Sequence, residues 1–243
     1  DDADTKEKSI KDLKAQIDDI EASFANNELD FGRKLYLIEN CIYGVDIQPI
    51  ATQISKLRFF ISLVVDQKVD STKDNFGVRP LPNLETKFVA ANTLIGIEKP
   101  KKGQFTGSLF DKKAIQTLER ELKIVRSKLF TIKTPARKRE LRERDKELRE
   151  QISILLAEDY GNETARLLAD WDPYDQNTSS SFFDKEWMFD ITDGFDIVIG
   201  NPPYIKEYTD KSVFDGLRES KYYQGKMDIW YFFTCNGIDI LKT

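Results

Sequence analysis

Asn201, Pro202, Pro203 and Tyr204 stand in an unbroken row, and their chemistries complement one another. Asn201 offers a side-chain carbonyl as an acceptor. Pro202 has a carbonyl but no amide hydrogen, and the two prolines hold both oxygens in a nearly fixed arrangement. Two acceptors that converge on one point suit an exocyclic amino group, which carries two hydrogens. Tyr204 adds a flat face on which a planar base can stack. The simpler alternative is an ordinary turn, since prolines commonly end strands. An Asn-Pro-Pro-Tyr row behind an apolar strand favours the site.

Such a row needs a rigid support. Phe195 to Ile199 is a short run in which Val198 and Ile199 predict a parallel strand covered on both faces. The prolines forbid its continuation, so the row falls at the strand's carboxyl end, the edge where open α/β sheets bind ligands. Earlier in the chain, Cys41 to Asp46 reads as a second buried strand that ends on a carboxylate, followed by Pro49 at a first helical position. An acid placed there can accept hydrogen bonds from both hydroxyls of a ribose, at about 1.5 to 3 kcal/mol for a charge-assisted bond. Asp46 as a helix N-terminal acid is the other reading. Phe88 to Asn92 is a further strand.

Asp196 to Ile205 resembles the amino-methyltransferase signature of S-adenosylmethionine-dependent adenine DNA methyltransferases. Most of the chain resembles part of the catalytic region of type IIG enzymes, in which one polypeptide carries nuclease, methyltransferase and target-recognition parts. The resemblance implies a partial Rossmann-like class I methyltransferase sheet, of α/β class, with an inserted helical hairpin. It implies methyl transfer from S-adenosyl-L-methionine to N6 of an adenine flipped out of double-stranded DNA, with Asn201, Pro202, Pro203 and Tyr204 at the reacting amine. Asp46 would meet the cofactor's ribose, Ile47 its adenine, and Asn92 the adenine's amino group, with Thr93 beside it. Magnesium would serve only a nuclease part outside this chain. The glycine-rich turn that cradles the methionine end of the cofactor in this family is absent from these residues. The expectation is that the chain is cut from a longer polypeptide and alone binds cofactor poorly.

Three parts follow from this reading: residues 1–110 with two strands and flanking helices, an insertion and return segment over 111–190, and residues 191–243 with the Asn-Pro-Pro-Tyr row and a following helix. Ile10, Leu13, Ile17, Ile20 and Phe24 recur at helical spacing, Leu35 to Ile38 continue as a second helix, and Ile50, Ile54, Leu57, Ile61 and Val64 keep one apolar stripe. In the insertion, Ile115, Leu118, Leu122, Val125 and Leu129 form a heptad-like seam. After Thr134-Pro135, Leu141, Leu148, Ile152 and Leu155 give its antiparallel partner. Arg137 to Glu150 mixes both signs so evenly that a solvated helical face is favoured over a basic arm on phosphate. Lys99 to Gly107 is a polar loop, and Lys206 to Lys226 reads as a mobile loop beside the site. Met227 to Leu241 is an aromatic helix in which Asp228 has no catalytic role.

Composition narrows the chemistry. The 243 residues carry a net charge of -5, which argues against this chain alone gripping nucleic acid strongly. With no histidine, Ser-His and Cys-His dyads are excluded, and no metal ligands are expected. Cys41 and Cys235 give neither a disulfide framework nor a zinc spacing and are expected as buried small hydrophobes. No membrane segment or signal peptide is evident, so a cytoplasmic location is expected. A glutamine or RNA methyltransferase remains an alternative, because an amide nitrogen poses the same problem. So does a non-catalytic interaction module built on the hairpin.

Overall fold

The computed structural model describes residues 29–78, 82–97, 99, 109–132 and 134–242, together with Lys14. The chain divides into two units, Asp1–Tyr43 with Ile54–Leu81, and Gly44–Gln53 with Pro82–Thr243. The Ile10 to Phe24 helix and most of the polar loop after Lys99 lie outside the described residues.

In the first unit, helix α1 (Leu29–Asn40) buries Phe31 and Ile38. Its end is closed by the amides of Cys41 and Ile42, which both donate to the Leu37 carbonyl. Helix α2 (Pro49–Val65) starts in the second unit and continues into the first. It buries Thr52, Lys56 and Leu63, whereas Ile50, Ile54, Leu57, Ile61 and Val64, the stripe that reads as core-facing, are exposed. Periodicity identifies a face but not what covers it. Cys41 is also exposed and Cys235 half-buried, against the expectation of burial.

The second unit holds the sheet. Strands β1 (Gly44–Asp46) and β2 (Phe88–Ala90) pair in parallel, with Gly44 opposite Phe88 and Asp46 opposite Ala90. A Cβ on Gly44 would lie 2.5 Å from Cδ1 of Phe88, so any larger residue there would force the Phe88 ring to move. Past β2 the pairing continues through a parallel bridge from Ala91 to Ser180. In it the Ser180 amide donates to Ala90 at 2.9 Å and the Asn92 amide to Ser180 at 3.0 Å.

Between the two sides of that bridge runs the insertion. Helix α3 (Leu109–Thr131) and helix α4 (Pro135–Tyr160) form the expected hairpin, with Pro135 opening the second helix. Ile115, Leu122, Val125 and Leu129 of α3 are buried, as are Leu141, Leu148, Ile152 and Leu156 of α4, so the seam ends on Leu156 in place of Leu155. Each fully buried leucine or isoleucine contributes about 1.5 to 3 kcal/mol. Helix α5 (Asn162–Asp170) and the short helix α6 (Lys185–Phe189) follow. The Asp184 carboxylate caps α6 by accepting from the amides of Glu186 and Trp187.

Several of the hairpin's mixed charges are paired within it or with Glu85 ahead of it. Lys138 and Arg142 both reach Glu85, and Arg144 reaches Glu121 and Glu147. Deeper in, Asp145 is wholly buried between two guanidinium groups, with Arg126 Nε at 3.2 Å and Arg149 Nε at 3.4 Å. Arg126 also donates to the Trp187 carbonyl, and Arg149 to those of Ala169 and Trp171. Burial, with Asp145 nearby, pushes the Tyr174 phenol above its ordinary value.

The last part departs furthest from expectation. Only Phe195 of the anticipated fourth strand pairs, through a parallel bridge to Leu241. Beyond it Ile197 and Ile199 are exposed, the latter 90%. A strand is buried on both faces only if neighbours supply its ladder and its cover, and among the described residues none does so for 197–199. Gly194 (φ +109°) makes the bridge possible, since a Cβ there would meet the Leu241 carbonyl oxygen at 2.7 Å. Helix α7 (Trp230–Asp239) is shorter than its apolar pattern suggests.

The stretch that reads as a mobile loop instead has its own core. Phe214, Leu217, Ile229 and Phe232 are buried together, with Leu94, Ile95 and Ile205 packed against them. Phe214 and Leu217 are delivered by turns that are not periodic, which hides their part of the core from pattern reading, whereas Ile229 and Phe232 come from the start of α7.

Candidate functional site

The carboxyl edge of the parallel pair positions the first group of candidates. Because β1 and β2 run in register, Asp46 and Asn92 leave the sheet at the same edge, joined by the Ala91 amide donating to the Asp46 carbonyl at 2.9 Å. Asp46 Oδ1 accepts the Gln48 amide at 2.8 Å, just ahead of α2. The helix-start role is therefore real. Its other carboxylate oxygen makes no hydrogen bond among the described residues, and Asp46 and Ile47 are both exposed. Asn92 Oδ1 accepts the Leu94 amide at 3.1 Å, which fixes the side chain and turns its NH2 group outward from that contact.

Asn201 and Tyr204 form the second group. Both are exposed, Tyr204 at 82%, and the Asn201 amide has no hydrogen-bond partner among the described residues. The row is anchored from both sides. Upstream, Lys242 Nζ lies 2.8 Å from Asp196 Oδ1 and holds that carboxyl below the usual carboxylate range by hydrogen bonding and charge. Downstream, the Ile205 carbonyl accepts the Ile229 amide at 2.9 Å.

Helix α7 and its apolar cluster tie the two groups to one neighbourhood. Asn236 Nδ2 donates to the Thr93 carbonyl at 2.7 Å. One residue on, the position a Cβ would take on Gly237 lies 3.5 Å from Val198 Cγ1. Leu94 and Ile95, which follow Thr93, share the cluster with Ile205, which follows Tyr204. Sequence reasoning missed Asn236; its signal is an amide and a glycine side by side in an otherwise aromatic helix.

Residues 40–243 match the Eco57I restriction-modification methylase family. The chain belongs to that family. A 70-residue stretch is 40% identical to a putative type II restriction enzyme and methyltransferase of Methanocaldococcus jannaschii. That match covers 28% of this chain and 6% of the relative, so the chain spans a small part of the relative's length. No solved structure matches.

Family membership agrees with a mixed fold in which a two-stranded parallel sheet accompanies the helices. Members of a methylase family need a site for the methyl donor, and the edge at Asp46 fits the requirements of a ribose and a base. It presents a free carboxylate oxygen, an exposed apolar side chain at Ile47 and an amide at Asn92. Among the described residues no three acids or cysteines cluster as metal ligands, and no helix is long and apolar enough to cross a membrane.

Proposed function

We propose that this chain is the catalytic part of an S-adenosylmethionine-dependent methyltransferase that modifies N6 of adenine in double-stranded DNA. The parent protein would be of type IIG, with nuclease and target-recognition parts elsewhere in the polypeptide. The observation that carries the reading is the Asn201 to Tyr204 row, with Asn201, Pro203 and Tyr204 exposed, in a member of a restriction-modification methylase family.

Asp46, Ile47, Asn92 and Thr93 would hold S-adenosylmethionine, which would supply an electrophilic methyl group on sulfur. The chain's task is to make a poor nucleophile attack it. An aromatic amine delocalises its lone pair into the ring. Acceptors at Asn201 and Pro202 would bind its two hydrogens and favour a pyramidal nitrogen with an available lone pair. As the nitrogen–methyl bond forms, the sulfur–methyl bond would break with its electrons on sulfur, and the nitrogen would release one proton to solvent. Catalysis of this kind is positioning and electrostatics. Flipping the base costs a few kcal/mol, and stacking on Tyr204 offsets about 1 to 3 kcal/mol of that.

The test is transfer of labelled methyl by the intact protein to duplex DNA, RNA and a glutamine-bearing release factor, followed by digestion of the DNA to nucleosides. Label recovered as N6-methyladenine, and lost in Asn201→Ala, is the expected result. Tyr204→Ala should weaken methylation more than cofactor binding. Label in RNA or protein only, or an undiminished rate in Asn201→Ala, would overturn the proposal.

A further inference from the structure

We infer that Lys206 and Tyr208 receive the nucleotide flanking the target base, Lys206 at its phosphate and Tyr208 at the face of its base. The inference rests on the reading of Asn201 to Tyr204 as the amine site and names the substrate contacts just beyond it.

Backbone pairing fixes which side chains face outward. The Ile229 amide donates to Ile205 at 2.9 Å and the Glu207 amide to Met227 at 3.0 Å, which places Lys206 in an antiparallel bridge with Asp228. Ile205 and Glu207 then point inward. Ile205 joins the apolar cluster, and the Glu207 carboxylate accepts from Tyr223 Oη at 2.8 Å and Arg218 Nε at 3.0 Å. Lys206 and Tyr208 are left on the outside. A turn closed by the Thr209 amide donating to Lys206 brings the two together, with Lys206 Nζ 5.8 Å from the Tyr208 ring centre.

An ammonium beside an open ring sets this pair apart. Of the neighbouring cations, Arg218 is neutralised by Glu207 and Asp215, Lys221 by Asp239 and Lys242 by Asp196, while Lys211 and Lys226, like Lys206, are exposed and make no ion pair among the described residues. Arg137, Lys138, Arg142 and Arg144 of the hairpin are paired as well. Among the described residues no carboxylate lies within ion-pair distance of Lys206, and the ring beside it is 77% exposed. A free ammonium next to an open aromatic face is the combination that holds a nucleic-acid strand, the cation on the backbone and the ring under a base. Tyr208 follows Tyr204 by four residues, at most ~14 Å of chain, so one strand can cross both rings.

The experiment measures methyl transfer by the intact protein to long unmethylated duplex DNA over a range of salt concentrations. Losing one phosphate contact in Lys206→Gln should flatten the dependence of log KM for DNA on log salt by about 0.9, and Lys206→Arg should restore it. Tyr208→Ala should raise KM for DNA by about 5- to 150-fold, with Tyr208→Phe close to wild type. KM for S-adenosylmethionine should be unchanged throughout, which also reports correct folding. A wild-type enzyme that methylates DNA, with an unaltered salt slope in Lys206→Gln or an unaltered KM in Tyr208→Ala, overturns this inference and leaves the methyltransferase reading intact. No transfer to DNA by the wild type overturns both.

Discussion

Replacing Asp145 by alanine should cost this protein a large share of its stability. Asp145 is fully buried, and its partners Arg126 and Arg149 have side chains only 9% and 3% exposed. Alanine would leave two guanidinium groups facing each other without the anion between them. Removing one partner from a buried ionic group costs about 3 to 5 kcal/mol, against a net folding stability of about 5 to 15 kcal/mol. Both arginines also hold backbone carbonyls at Ala169, Trp171 and Trp187, so the damage should spread to the segment after α4. Urea unfolding followed by tryptophan fluorescence suits the question, because Trp171 and Trp187 are buried beside the network. The triple replacement Arg126→Met, Asp145→Ala, Arg149→Met removes the three buried charges, leaving the half-exposed Asp172 beside Arg149, and should recover part of the loss. A cost below about 1 kcal/mol for Asp145→Ala, or a triple variant no more stable than the single, would refute the reasoning.

Two further predictions concern parts that hold the site. Burial raises the Glu85 carboxyl, but hydrogen bonds led by Lys138 and the charges of Lys138 and Arg142 outweigh it, so its pKa lies below the ordinary 4.5. Its stabilising effect is thus present above the unfolded value and lost as pH falls through the lower folded one; a Glu85→Gln variant should show a flatter acid limb in thermal melts below about pH 4.5, and an unchanged limb would count against the cluster. Gly194→Ala places a Cβ against the Leu241 backbone at a φ of +109° and should cost about 1 to 3 kcal/mol, read as a lower urea midpoint. A midpoint equal to wild type would mean the Phe195 bridge tolerates the side chain.

What could be read from the residues depended on whether the signal was periodic. The hairpin was legible because Ile115 to Leu129 and Leu141 to Ile152 repeat at helical spacing and bury as that spacing implies. The strands at Gly44 and Phe88 were legible in type, though each is three residues long. Apolar runs misled where the described residues supply no cover, as at Ile197 to Ile199 and along α2, because side-chain type states a preference for burial and not its fulfilment. The core around Phe214 was hidden by irregular turns, and the Asp145 network by a surrounding run of charges that reads as solvated. The Asn201 to Tyr204 row is proposed from residue chemistry, while the contact between Asn236 and the Thr93 carbonyl needed the fold.

The bridge between Ala91 and Ser180 joins residues on opposite sides of the whole helical excursion. Closing so long a loop on its own is entropically slow. Helices α3 and α4, whose contacts are local, can form first and bring the two ends together. An early hairpin would shorten the effective loop between Ala91 and Ser180, so variants that weaken its seam should slow the formation of the Asp46 and Asn92 edge in refolding kinetics more than they alter it once formed.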